Sequence, residues 1–169
     1  MTIKKLADKE VSVDTQSSTV KVSYVDSFKV MIGENVIDKP GEYEIDNIAV
    51  ITLEVPNPDY VVVNDFVAIH SEGLDVGFLF GEKGANKEFL KDVANIDILI
   101  VTSDINVENV KRVITLFEPQ YLVILNSKNI EEVTKAYNYP NFTEEKTLKV
   151  KETDFPRGEN ILIRPVILK

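Results

Sequence analysis

Chemistry in this sequence has few side chains to draw on. There is one histidine, His70, and no cysteine, so thiolate nucleophiles, thiolate metal sites and disulfides are excluded. A lone imidazole can act as a base near neutral pH. His70, however, falls mid-strand in the alternating run Phe66 to Ser71, with no nucleophile or orienting carboxylate tied to it, and an exposed or locally hydrogen-bonded histidine is the default reading. Glu82 has a better address, at the carboxyl end of an apolar strand, where sheets with helical crossovers gather ligands. With Asp104 and Asp59 it could form an oxygen-only site for Mg²⁺ or Ca²⁺. The plainer reading is a solvated turn glutamate, since carboxylates on unrelated loops carry no spacing signature. Gly81-x-x-Gly84 before a helix resembles a phosphate-cradling turn, but neither the Lys-Ser/Thr pair of a P-loop nor a Gly-x-Gly-x-x-Gly run accompanies it. Ser71, Ser103 and Ser127 are conceivable nucleophiles, and one histidine cannot be assigned to any of them.

The elements that must hold these residues fall into two kinds. Between residues 73 and 137 apolar runs of strand length alternate with helical spacing. Gly73 to Phe80 is a strand, Gly81-Glu82-Lys83-Gly84 a turn, Asn86 to Ala94 a helix and Ile96 to Val101 a strand. Val107 to Phe117 follows as a helix with Val110, Val113, Ile114 and Phe117 on one face, stopped by Pro119. Tyr121 to Leu125 is an apolar strand and Ile130 to Tyr137 a further helix. Such alternation implies a buried, partly parallel sheet.

The first half contains strands only, which implies a second sheet. Glu10 to Asp14 and Thr19 to Tyr24 flank the polar turn Thr15 to Ser18, a hairpin pattern. Phe28 to Ile32 passes Gly33-Glu34-Asn35 into Val36-Ile37-Asp38, and Pro40-Gly41 supplies another turn. Tyr43 to Val55 reads as a strand pair bent at Asp46-Asn47. Pro56 to Asp59 breaks the pairing, and Tyr60 to Val63 and Phe66 to His70 read as a hairpin around Asn64-Asp65. Two last strands, Thr147 to Lys151 and Ile161 to Leu168, flank the turn Pro156-Arg157-Gly158.

The 169 residues suit one domain spanning 1–169, with 44% apolar and 28% charged residues, a composition far from disorder. No apolar run approaches the roughly 20 residues of a bilayer span, and the start lacks the core of a signal peptide, so a cytoplasmic protein without a membrane partner is expected. A formal charge of −9 opposes the phosphate contacts that dominate nucleic-acid affinity, and nucleic acid is not expected as a partner.

In order and spacing these pieces resemble the metallo-β-lactamase fold, in its small branch of lactonase-like metal-dependent hydrolases. Four stretches carry the likeness. Val36 to Ile45 is similar to a "DGPGEYE" segment, and Glu72 through Gly84 to Leu99 to a strand ending in "GDLG" followed by "DVDVLLV". Phe117 to Ile124 is similar to an "EPKIVIPMH" strand, and Leu148 to Leu168 to a closing β-hairpin. The resemblance implies a shortened αββα sandwich of two mixed sheets with about three helices, mainly in the C-terminal half.

It also implies chemistry that this chain lacks the residues for. The fold's hydrolases hold metal ions with clustered imidazoles and carboxylates, and the metal lowers the pKa of its bound water to near 7. The His-x-His-x-Asp-His loop is expected between the opening hairpin and Pro40-Gly41, where only Tyr24 to Lys29 stands. A further His is expected where Pro56 to Asp59 stands. The bridging Asp position holds Glu82 and the final His position holds Asn126, which makes these two vestigial metal-site positions.

Two readings follow. One is a non-catalytic protein, without cofactor or metal, kept as a binding or assembly module. The alternative is a hydrolase with an altered oxygen-ligated site at Glu82, Asp104 and Asp59. If the ligand loop and its helix are gone, an uncovered apolar face or strand edge in residues 19 to 60 is expected to meet a protein partner or a second copy.

Overall fold

The computed structural model describes residues 1–54, 64–80, 90, 93, 95–102, 104–125, 130–139, 142–155 and 162–169. Alternation in the first 37 residues builds an antiparallel sheet. Its strands are β1 (Thr2–Ala7), β2 (Glu10–Asp14), β3 (Thr19–Tyr24), β4 (Phe28–Ile32) and β5 (Asn35–Ile37). In β4, and in β3 from Thr19 to Val22, every second residue is buried, the signature of a sheet with one face on a core and one toward water.

The second sheet begins with the hairpin of β6 (Gly41–Ile45) and β7 (Ile48–Glu54). Its two-residue turn has Asp46 at φ 53° and Asn47 at φ 59°, left-handed values that match the twist of the flanking strands. Strands β8 (Asn64–Ser71), β9 (Leu74–Leu79), β10 (Ile98–Thr102), β11 (Tyr121–Leu125), β12 (Thr143–Glu145) and β14 (Arg164–Leu168) complete the sheet. Strand β13 (Thr147–Lys149) returns to the first sheet. The orders are β13-β1-β2-β3-β4-β5 and β12-β14-β11-β10-β9-β8-β7-β6.

Two helices are described. Helix α1 (Val107–Phe117) is capped by Asn106, whose side chain accepts the Glu108 N–H at 2.9 Å, satisfying one of the donors left over at a helix start. It ends at Glu118, in the left-handed region at φ 47°. Its Val110, Val113, Ile114 and Phe117 are buried on the expected face. Helix α2 spans Ile130–Tyr137. No helix among the described residues is long and apolar enough to cross a membrane.

The core has two layers. One lies between the sheets, with Ile3, Val22, Val30 and Phe28 meeting Val50, Ile69, Phe78, Ile100 and Val123. The other lies between the second sheet and the helices, where Phe66, Leu99, Val101 and Ile124 meet Val110, Val113 and Phe117. Each fully buried aliphatic or aromatic side chain is worth about 1.5–3 kcal/mol over its exposed state.

The structure corrects several expectations. The first sheet is wholly antiparallel and only the second is mixed, because the parallel crossovers all fall after residue 74. Both described α-helices pack on the second sheet, and among the described residues no α-helix covers the first sheet's outer face. The order there is two sheets and one helical layer. The helix expected over Asn86 to Ala94 lies largely outside the described residues, with Leu90 helical and buried.

Asn64 and Asp65 form no turn, since Asn64 pairs with Glu54 inside β8 after a register shift. Asn-Asp is a turn signal only where the chain must reverse, and pairing with β7 extends past it. The last two strands are not a hairpin. Thr147–Lys149 pairs with β1, whereas Arg164–Leu168 pairs in parallel with β11, so they belong to different sheets.

The first sheet's uncovered face is of mixed character. It presents Lys4, Lys21 and Lys29 together with exposed Met31 and Val36, paired across β4 and β5, while Leu6 at the end of β1 is also exposed. Lysines on that face keep it solvated.

Candidate functional site

Parallel strands β9, β10, β11 and β14 place Phe80, Thr102, Leu125 and Leu168 along one rim, by the registers Val101 to Leu79, Thr102 to Leu125 and Leu125 to Leu168. This carboxyl-end rim is where crossover sheets of this kind collect ligands. Glu82 and Asn126 follow β9 and β11 but lie, with Asp59, outside the described residues. Asp104 is described, and it stands at this rim just after β10.

Asp104 is already engaged. Its carboxylate receives the Lys9 ammonium at 2.7 Å. Partial burial pushes its pKa up, but hydrogen bonds from Lys9 and Thr102 and the lysine's charge outweigh that and hold it below its ordinary value, as an adjacent cation does. Lys9 comes from the turn between β1 and β2 and also lies 5.5 Å from the ring centre of Tyr24, within cation–π range. The main chain fixes that pairing, since the Tyr24 N–H donates to the Lys9 carbonyl at 3.0 Å.

Beneath the ion pair lies an aromatic cluster. Tyr24 meets Phe28 edge-on at 5.1 Å and Phe80 at 6.5 Å, and Phe28 lies 5.2 Å from Phe80. Tyr24 and Phe28 are directly paired across β3 and β4. The interval in which the resemblance places the histidine loop is therefore a three-residue connection, Val25-Asp26-Ser27, between paired strands. Rings and an ammonium–carboxylate pair stand at this rim.

His70 is at the other end of the sheet. It pairs with Asp75 at the start of β9, and its Nδ1 lies 2.8 Å from Asp75 Oδ1. From Asp75 to Phe80 is roughly 16 Å at about 3.3 Å per residue. Asp75 is itself fixed, its N–H donating to Asp97 Oδ2 at 2.9 Å. His70 is thus a locally bonded surface side chain with Asp104 far from its reach. Ser71 is buried in the β8–β9 hairpin, whereas Ser103, Ser127 and the Gly81 to Gly84 turn lie outside the described residues.

Lys9 was not among the candidates read from the sequence. It lies 95 positions from Asp104, and no local pattern marks a lysine that a hairpin turn carries across to another sheet.

A zinc ion needs several imidazole, thiolate or carboxylate donors converging within about 2.0–2.3 Å. Among the described residues no group of three His, Cys, Asp or Glu side chains converges to hold a metal. The described donors at the rim do not fit the group that hydrolases of this kind of fold hold.

No protein-family model matches the sequence. No curated protein matches it either. Among solved structures the chain is similar to a Thermotoga maritima protein of the metallo-β-lactamase superfamily, described as a candidate Zn-dependent hydrolase. The TM-score is 0.70 at 12% identity, over 99% of this chain and 97% of that one. Agreement over nearly the whole of both chains, with the two stacked sheets and the helices on the second, leaves one conclusion about architecture: this chain has the metallo-β-lactamase fold.

Proposed function

We propose that the chain is a non-catalytic protein on the metallo-β-lactamase fold, a shortened form of the lactonase-like branch, serving as a binding or assembly module. The observation that carries this reading is the Lys9–Asp104 pair over Tyr24, Phe28 and Phe80 at the rim. An ammonium already neutralises the Asp104 carboxylate there, and a second cation at the same oxygens would meet it at close range. With one imidazole in the chain, and that one at the opposite end of the sheet, hydroxide generation of the zinc type has no support from nitrogen ligands.

The module would act through its edges. Among the described residues strands β5 and β6 each have a hydrogen-bonded neighbour on one side only, and an open edge can accept another strand. Exposed Glu42 and Glu44 on β6 favour a basic partner over a second acidic copy there, while the short β5 beside Met31 and Val36 is the more neutral edge.

The test is elemental analysis of protein purified without chelator, with ester and lactone hydrolysis measured before and after added Zn²⁺, Mn²⁺ or Mg²⁺. Metal well below stoichiometry and no turnover above buffer are expected. Stoichiometric metal with turnover that disappears in Glu82→Gln would establish the oxygen-ligated hydrolase instead. Light scattering across a concentration series, with pull-downs, tests assembly. A monomer at high concentration that recovers no partner would sink the module reading.

A further inference from the structure

Far from the rim pair, the sandwich stays open along the edge where β12 and β14 of one sheet face β13 of the other. A groove of ≈ 780 Å³ runs there, within the size range of small-molecule sites, about 300–1,000 Å³. Its floor is apolar, with Leu148 from β13 and Val166 from β14 both buried. Its ends are charged with opposite signs. Arg164 stands at the start of β14. Glu145, on β12, is paired with Leu168 at the strand's other end.

Alternation puts these side chains on one face. Val166 and Leu168 belong to the layer between the sheets, so Arg164, two residues earlier, shares their side. Thr143 and Glu145 take the same side through their registers with Val166 and Leu168. The four steps from Arg164 to Leu168 span about 13 Å.

The guanidinium is held in place. Arg164 Nη1 donates to the Tyr121 hydroxyl at 2.8 Å, and the group lies 5.3 Å from that ring's centre. Phe155 backs the ring at 5.4 Å. A guanidinium carries five N–H donors, and spending one on Tyr121 leaves a planar fork of the kind that suits a carboxylate.

We infer that this groove binds an amphiphilic monocarboxylate, its acid group on Arg164 and its apolar body along Leu148 and Val166. Glu145 at the far end sets the direction, because a second anion placed there is repelled while a plain alkyl or aryl terminus is not. In a chain of net charge −9 a fixed cation beside an apolar trough is the local exception that attracts such a molecule.

The test is calorimetric titration of the full chain with decanoate below its micelle concentration, and with decylammonium as the charge-reversed control. One saturable decanoate site is expected, with decylammonium binding at least about tenfold more weakly. Arg164→Gln should weaken decanoate by about tenfold or more, the loss of a charge-assisted hydrogen bond, with the melting temperature lowered by no more than about 4 °C, the effect of losing one exposed contact to Tyr121. Arg164→Lys should recover part of the affinity. Equal affinity for both amphiphiles, unchanged binding in Arg164→Gln, or no saturable binding of decanoate overturns the inference.

Discussion

The two faces of the eight-stranded sheet solve the same packing problem differently, and adjacent residues of β9 show how. Phe78 points between the sheets and fills that layer with its ring, 6.0 Å edge-on from Phe80. Gly77 points the other way, where Phe66 and Ile96 already take the space a side chain would need. Phe66 in turn stacks on Phe117 of α1 at 5.8 Å. Between two sheets, large side chains from both surfaces interdigitate. Under a helix, one ring reaches across and the strand beneath gives way. Close packing therefore depends on which face supplies the volume, and a residue's size has to be judged with its direction.

Mutations can break or sharpen this contrast. The largest effect is expected from Phe78→Ala, which empties the layer between the sheets. About 3–5 kcal/mol should be lost in urea or guanidinium denaturation, and a loss below about 1 kcal/mol would show that this face repacks freely. Gly77→Ala tests the other face. Its Cβ would sit 3.0 Å from the Phe66 ring and 3.1 Å from Ile96, so about 1–3 kcal/mol of overpacking is expected. Adding Phe66→Leu should relieve part of it in a double-mutant cycle, and strict additivity would refute the assigned contact.

Asp104→Asn at the rim should cost only about 0.2–1 kcal/mol, because the pair is half exposed and screened by salt. The pH sign follows from the lowered pKa of Asp104. Its contribution is complete above the ordinary carboxylate value, about 3.9, and is lost as the pH falls from there through the folded-state value. Acid titrations of the parent and Asp104→Asn should therefore converge below that window. Smallest of all, Lys21→Thr on the open face of the first sheet should stay within about 0.5 kcal/mol of the parent. A larger loss would mean that this face is packed against something.

Much of the fold can be read in the amino-acid sequence, and the misses share one cause. The hairpins at Thr15 to Ser18 and Asp46-Asn47, the helix with Phe117 on its buried face and the apolar strand Tyr121 to Leu125 all rest on local signals. Periodicity, caps and turn residues act within a few positions of one another. Pairing is a different matter. That Thr147–Lys149 joins β1 while Arg164–Leu168 joins β11 is decided by distant partners, and the two apolar strands flanking a Pro-x-Gly turn looked locally like a hairpin. Asn64 departs from its turn signal for the same reason, since pairing with a long partner strand overrides a turn-forming dipeptide.

The candidate site divides likewise. Glu82 is a candidate by its place at a strand's carboxyl end, Asn126 as the position where the resemblance expects a histidine, and Asp104 as a companion carboxylate, which the structure places just after β10. Lys9, which decides what Asp104 can do, could not be found that way. Its effect comes from a contact between the β1–β2 turn and the rim. The acid–cation–ring groove at Arg164 is equally distributed, with its parts on four strands.

The pairing of β13 with β1 has a consequence for how the chain comes to be folded. The antiparallel sheet receives the strand beside β1 from Thr147–Lys149, so one side of the β1 backbone stays bare until that distant segment has been made. Contacts spanning most of the chain slow closure. A nascent protein of this topology should gain from a chaperone that shields β1 until Thr147–Lys149 has emerged to pair with it, and a chain cut short before Thr147 should be the species most prone to clump.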